Sequence, residues 1–167
     1  MAQISEIDVV GIDYPGKILM DNFVYRLNRK PAESTSYPYL VVCRRIEDIS
    51  NSTTDILMVE DFRRIEADLK KRVKKKLGLE VTVFPARKQD GPDTGKWFNQ
   101  IRNLYKFCKL NDYQFILSSG ANSALEMVSG RSFESILKIC DIKPENYWKD
   151  LAEWLEAKYQ RMVFVNA

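Results

Sequence analysis

The chain has 167 residues, of which 45% are hydrophobic and 29% charged, and its formal net charge is +3. This size predicts a single domain over residues 1–167 and excludes a full eight-fold βα barrel, which needs about 250 residues. No apolar run approaches the roughly 18 residues of a membrane span. The N-terminus also lacks a basic segment followed by an apolar one, so we expect a cytoplasmic protein.

Histidine is absent from the sequence, and no two of the three cysteines form a C-x-x-C pair. The missing histidine removes the commonest general base and the commonest metal ligand, which excludes a Ser-His-Asp triad within the chain. Cys43, Cys108 and Cys140 lie among apolar residues, a pattern typical of core packing in a reducing compartment. We therefore expect no catalytic residue and no metal bound by the protein itself.

In chain order, the apolar patterns alternate between the periods of strands and helices. We predict strands over residues 8–14, 39–43, 55–59, 79–84, 113–117 and 162–165. We predict helices over residues 17–30, 60–77, 96–110, 132–140 and 144–158, with Ser132 as the N-cap of the fourth. Strands that alternate with helices indicate parallel βαβ units, which place ligands at the carboxyl ends of the strands.

The helix over residues 60–77 has the clearest pattern, with an apolar stripe on one side and basic residues on the other. At helical spacing, the basic residues cover its solvent face. Such a face is able to neutralise RNA phosphates, and the alternative is an ordinary solvated helix with a basic end. The basic residues are Arg63, Arg64, Lys70, Lys71, Arg72, Lys74, Lys75 and Lys76.

The segment GPDTGK at residues 91–96 resembles a phosphate loop but has the wrong spacing. Three residues separate its glycines and Trp97 follows the lysine, whereas a P-loop needs four residues and a Ser or Thr. We expect a helix N-terminus here that holds one backbone phosphate together with Arg87, Lys88 and Lys96. The alternative is a polar turn that only starts a helix.

A third candidate site follows the strand predicted over residues 113–117. There the chain reads Ser118-Ser119-Gly120 and continues to Glu126 and Arg131. Without a histidine, the serines have no base to activate them. We therefore interpret Ser118, Ser119 and Gly120 as a tight turn whose hydroxyls satisfy the backbone of the loop.

Residues 79–160 resemble ribonuclease P protein component 3, the thirty-kilodalton-type subunit of archaeal and eukaryotic ribonuclease P. The strand that ends in Ser118-Ser119-Gly120-Ala121 is similar to the family's I-x-S-S-[AG] motif. An acidic residue, an Arg-containing turn and a short helix then follow, as Glu126 and Arg131 do here. Upstream, Pro85-Ala86-Arg87-Lys88 resembles a second feature of the family, whereas residues 1–78 are shortened.

The resemblance implies an α/β fold that is an incomplete or trimmed βα (TIM-like) barrel, related to the barrels of metal-dependent phosphoesterases. It implies an RNA-binding subunit that supports the catalytic RNA while the holoenzyme removes the 5′ leader from precursor tRNA. Its partners would be the ribonuclease P RNA and ribonuclease P protein component 2, with other holoenzyme proteins. Magnesium would bind to the catalytic RNA. Arg131 would contact either the RNA or another part of the protein.

Two other functions are compatible with the residues. A small phosphoesterase of the barrel class would need metal ligands that a chain without histidine supplies poorly. A protein–protein scaffold without RNA contact would leave the basic face of residues 60–77 unused.

Overall fold

The computed structural model describes residues 8–10, 23–27, 30, 39–49, 53–72, 77–83, 91–121 and 124–163. Within them, six strands form a parallel sheet in the order in which they occur along the chain. Strands β3 to β6 form its four-stranded body, and β1 and β2 extend it. The strands are β1 Asp8–Val10, β2 Phe23–Leu27, β3 Tyr39–Cys43, β4 Ile56–Met58, β5 Gly78–Thr82 and β6 Gln114–Ser118.

Four α-helices and two short 3₁₀ helices accompany the sheet. The helices are α1 Phe62–Arg72, α2 Gly91–Asn111, α3 Gly130–Ile139 and α4 Pro144–Val163, and the 3₁₀ helices are Ile46–Asp48 and Ala124–Glu126. The α/β class and the parallel pairing expected from the sequence are therefore confirmed.

The two faces of the sheet have different neighbours. On one face, the Phe115 ring lies 5.6 Å from the ring of Tyr105 in α2 and 5.9 Å from that of Tyr147 in α4. On the other face, a Cβ atom added to Gly78 would lie 2.5 Å from Ile116 and 3.2 Å from Trp154 in α4. Glycine at residue 78 thus allows the second half of α4 to pack closely against this face.

The sheet is not closed into a barrel. Strands β1 and β6 approach to within 8 Å between Cα atoms, but no strand pairing joins them in the described part of the chain. The Tyr147 hydroxyl accepts a hydrogen bond from the Leu117 amide at 3.0 Å and donates one to the Leu117 carbonyl at 3.2 Å. Because these groups point away from β5, they are the ones that a further strand would use, and α4 occupies their place.

Helix α4 also reaches the amino ends of the strands. Lys158 Nζ lies 2.9 Å from Asp55 Oδ1, and the two side chains are 5% and 14% exposed. The other carboxylate oxygen of Asp55 accepts from the Val41 amide, and the Asp55 backbone bonds to Val41 and to Gly78. Asp55 therefore connects β3, β5 and α4 at one end of the sheet.

Several predicted bounds are wrong. Residues 23–27, predicted within a helix, form β2, because Phe23 and Tyr25 pair with β1 and β3 and this tertiary pairing outweighs four loosely helical apolar positions. Residues 162 and 163, predicted to start a strand, continue α4, since no helix breaker follows Lys158. The strand predicted over residues 39–43 is confirmed as β3, and the strands predicted over 55–59 and 113–117 differ from β4 and β6 by one residue at each end, as strand ends commonly do. Residues 11–14 of a predicted strand and 17–22 of a predicted helix lie outside the described residues.

The aromatic side chains of α4 belong to the core. Tyr147, Leu151 and Leu155 are at most 1% exposed, while Trp148 and Trp154 pack partly buried against the core. These residues of α4 therefore pack in the core rather than on a docking surface.

We predict that Lys158→Met lowers the free energy of unfolding by about 3 kcal/mol, because it leaves the mostly buried Asp55 carboxylate without its cation. Urea unfolding followed by circular dichroism measures the change. Lys149→Met is the matched control on the same helix, because Lys149 is exposed and forms a long ion pair of 3.9 Å with Glu153. Its substitution should lower the free energy of unfolding by less than about 0.5 kcal/mol. Equal losses in the two variants would contradict a structural role for the buried pair.

Candidate nucleic-acid interface

The parallel topology brings the starts of α1 and α2 to one edge of the sheet. Helix α1 begins shortly after β4, and α2 follows β5 and ends shortly before β6 begins, so both helices start toward the carboxyl ends of the strands. We call this edge of the sheet, with the loops and helix starts that adjoin it, the carboxyl edge. Helix N-termini carry a partial positive charge, which makes this edge the more favourable one for an anion.

The predicted basic residues of α1 do not form one cluster. Arg63 and Arg64 lie in the first turn, at the carboxyl edge, and both side chains are exposed. Lys71 is also exposed but lies about 12 Å further along the axis, at the rise of about 1.5 Å per residue of an α-helix. Lys70 and Arg72 are helical, whereas Lys74, Lys75 and Lys76 lie outside the described residues. The helix thus distributes its cations between both edges of the sheet.

Asp61 organises the start of α1. One of its carboxylate oxygens accepts from the Arg63 amide at 3.1 Å, as an N-cap does, and the other lies 3.1 Å from Arg64 Nε. Asp61 therefore satisfies one unpaired backbone donor and holds Arg64 at the same time. The Arg64 side chain is still 84% exposed, so this pair is a weak one that an RNA phosphate is able to displace.

The helix start predicted at residue 96 is five residues late, whereas the helix N-terminus expected within GPDTGK is present. Helix α2 already begins at Gly91, so GPDTGK forms its first turns, and Lys96 Nζ lies 2.7 Å from Asp93 Oδ1 one turn earlier. Pro92 takes the second helical position, where its missing amide costs nothing, and this explains the early start. Arg87 and Lys88 lie outside the described residues.

The segment after β6 is a structural turn. Ser119 Oγ accepts from the Ala121 amide at 3.1 Å, which confirms the interpretation of its hydroxyl as a partner of the loop backbone. Ser118 behaves differently, since its hydroxyl donates to Glu80 Oε1 at 2.6 Å and both residues are fully buried. Gly120 has a φ of +63°, and a Cβ atom there would lie 2.9 Å from Thr82. Only glycine fits this position without strain.

Arg131 lies in the first turn of α3 and is exposed, and no described carboxylate lies within ion-pair distance of its side chain. The N-cap of α3 is Ser129, whose hydroxyl accepts from the Ser132 amide, so the assignment of Ser132 as the N-cap is wrong by three residues. Glu126 ends the second 3₁₀ helix and is half-buried. Arg131 is thus presented to solvent in the first turn of α3.

We predict opposite effects of alanine at two glycines. Gly120→Ala lowers the free energy of unfolding by about 1–3 kcal/mol, because it combines a left-handed backbone with the contact to Thr82. Gly95→Ala raises it by about 0.5–1 kcal/mol, since Gly95 lies within α2 with open space around its Cα. Thermal unfolding of both variants tests this, and destabilisation by Gly95→Ala would contradict the assigned start of α2.

Sequence reasoning missed two residues of this region. Arg44 directly follows β3 and is exposed at the carboxyl edge, and its position after an apolar run was the available signal. Glu80 is a fully buried carboxylate in β5. Glu80 and Thr82 lie two residues apart and therefore on the same side of the strand, which was the signal that one face of the sheet is polar near the carboxyl end of β5.

The three cysteines are buried and reduced, as the sequence indicated. Burial raises the pKa of each thiol, to about 11 for Cys140. The thiolate is the reactive form, so a raised pKa lowers reactivity near neutral pH. These side chains pack the core and offer no nucleophile to a substrate.

We predict that iodoacetamide leaves the folded protein unmodified at about pH 8, because the raised thiol pKa values and burial both suppress the thiolate. Mass spectrometry after timed labelling measures the outcome. The same protein in concentrated urea is the control, and there all three cysteines become labelled. Rapid labelling of one cysteine in the folded chain would show that it is accessible.

No metal site occurs among the described residues. No group of three or more Cys, Asp or Glu side chains gathers there in a way that could hold a metal ion. One cavity between α2, α4 and β6 has a volume of about 20 Å³, room for about one water molecule. Lys109 and Asp150 form an ion pair at its rim, and the hydrogen bond to Asp150 raises the Lys109 pKa.

None of the helices in the described part of the chain is long and apolar enough to cross a membrane. Comparisons of the chain with protein-family models, with curated proteins and with solved structures found no match.

Proposed function

We propose that this chain is an RNA-binding, non-catalytic subunit of ribonuclease P that supports the catalytic RNA in removing the 5′ leader from precursor tRNA. The observation that carries the proposal is the set of exposed cations on α1 and at the start of α3. Arg63, Arg64, Lys71 and Arg131 are all exposed, although the net charge of the chain is only +3. These exposed side chains are able to contact RNA phosphates at more than one place on the surface.

The physical role of such a surface is electrostatic. Folded RNA brings phosphates together, and Lys or Arg side chains reduce their repulsion while releasing condensed counterions. A-form RNA is recognised mainly by its shape and backbone, for which cations without base-stacking aromatic side chains are sufficient. The catalytic RNA and its magnesium ions would perform the hydrolysis, and protein component 2 would bind beside this subunit.

The order of elements in residues 79–160 supports the same proposal. A strand that ends in Ser118-Ser119-Gly120 leads through the 3₁₀ helix at Glu126 to the helix start at Arg131. This is the order on which the resemblance to ribonuclease P protein component 3 depends. The proposed place of action is the cytoplasm.

The finer description of the fold is also a proposal. We infer an incomplete βα barrel, because the strands follow one another in sequence order, as in barrels and unlike doubly wound sheets. The approach of β1 to β6 within 8 Å supports it.

A phosphoesterase function has less support. The chain has no histidine, and the described carboxylates do not gather into a ligand set for a metal ion. Glu80 and Ser118 are fully buried, so substrate has no access to the one close carboxylate–hydroxyl pair near the carboxyl edge.

Reconstitution tests the proposal. Catalytic RNA with component 2 and the other holoenzyme proteins should cleave precursor tRNA at lower magnesium when this chain is added, because its cations replace part of the magnesium screening. Cleavage is measured over a magnesium titration with and without the chain. The chain alone, incubated with manganese or zinc and a phosphodiester, is the control for the phosphoesterase alternative.

An unchanged magnesium requirement would contradict the ribonuclease P proposal. Hydrolysis by the chain alone would favour the phosphoesterase instead. Assembly that persists after Lys71→Glu, without salt dependence, would favour a protein scaffold that makes no RNA contact.

A further inference from the structure

The cations of the carboxyl edge fall into two groups that differ in their local partners. Arg45 lies 3.6 Å from Glu47 and 3.8 Å from Asp48, Arg64 lies 3.1 Å from Asp61, and Lys96 lies 2.7 Å from Asp93. Each of these cations is held by a carboxylate within three residues of it in sequence. They follow β3, β4 and β5, so the same arrangement recurs at three successive strand ends.

Three further arginines have no such partner. Arg44, Arg63 and Arg131 are exposed, and none has an ion pair with a described carboxylate. Arg44 follows β3, Arg63 follows β4 in the first turn of α1, and Arg131 follows β6 in the first turn of α3. Arg44 is thus adjacent to the paired Arg45 and Arg63 to the paired Arg64, whereas Arg131 lies at a helix start.

Arg44 and Arg63 belong to neighbouring strand ends. Strands β3 and β4 pair directly, with Cys43 opposite Leu57, and adjacent strands are about 4.8 Å apart. The 3₁₀ helix Ile46–Asp48, two residues after Arg44, packs against α1, with Cα atoms within 8 Å. The β3 end therefore lies beside the N-terminus of α1, where the helix dipole also favours an anion.

Arg131 is a further unpaired arginine, in the first turn of the helix that follows β6 and the 3₁₀ helix Ala124–Glu126. A nucleic-acid backbone presents several phosphates in succession, so it is able to contact unpaired arginines at more than one place on the surface.

Unpaired arginines are the stronger phosphate contacts for two reasons. An arginine that already pairs with a carboxylate must give up that partner, whereas an unpaired one exchanges only water and mobile counterions. The guanidinium group also offers a planar fork of donors that matches phosphate oxygens in pairs. Local carboxylates therefore determine which cations of this edge contribute most to phosphate binding.

We infer that Arg44 and Arg63 form the principal phosphate-binding row for the RNA backbone, with Arg131 in the first turn of α3 as a further phosphate contact. In this arrangement Arg45, Arg64 and Lys96 contribute less, because Glu47, Asp48, Asp61 and Asp93 neutralise them. This inference rests on the proposed RNA-binding function and adds Arg44, which the sequence patterns did not single out.

Binding of the full chain to catalytic RNA, measured over a series of salt concentrations, tests the row. Arg44→Ala and Arg63→Ala should each reduce the slope of log K against log salt by about 0.7–0.9, the loss of one phosphate contact, and the double variant by about twice that. Arg64→Ala should produce a smaller change than Arg63→Ala. Lys149→Ala, on α4 away from the row, should leave the slope unchanged.

Each outcome has a distinct meaning. Salt-sensitive binding by the unmodified chain, with unchanged slopes for Arg44→Ala and Arg63→Ala, would overturn the row while RNA binding itself stands. Equal effects of Arg63→Ala and Arg64→Ala would overturn the role assigned to the local carboxylates. Absence of salt-sensitive binding by the unmodified chain would contradict the proposed function instead. Circular dichroism of each variant shows that its fold is intact.

Discussion

Among the described residues, no strand pairs with the outer edge of β6, and this is the constraint on which much of the structure depends. A parallel strand with no neighbour on one side has amide and carbonyl groups that must find other partners when they are buried. At Leu117, the hydroxyl of Tyr147 satisfies both groups. Helix α4 therefore stands where another strand would pair, and the same helix reaches Asp55 through Lys158 at the opposite end of the sheet.

The two ends of the sheet differ in the side chains that they carry. The Asp55–Lys158 pair and the close packing at Gly78 belong to the amino ends of the strands, where they stabilise the fold. The carboxyl ends carry the starts of α1 and α2 and the exposed Arg44 and Arg63. This division is usual for parallel α/β folds, because the loops at the carboxyl ends vary without disturbing the pairing of the strands.

Part of the fold and of the candidate site followed from local patterns. The parallel α/β class, the buried cysteines, the core role of α4 and the exposed Arg63, Arg64 and Lys71 were all predictable, because apolar periodicity reports which side of an element is buried. Strand β2 was not predictable from its local pattern. Phe23 and Tyr25 are extended because they pair with residues of β1 and β3. Which cations have carboxylate partners also depends on cap and turn geometry that periodicity does not report.

The sequence by itself determined the chemical limits of this protein. A chain without histidine and with scattered cysteines lacks the usual means of acid–base and metal catalysis, and the basic pattern over residues 60–77 is compatible with an anionic partner or with an ordinary solvated helix. Only the tertiary structure decided that Ser118 is buried against Glu80 and that Arg44 stands beside the start of α1. These relations join residues that are far apart in the chain, and strand pairing and helix packing, which no local pattern encodes, bring them together.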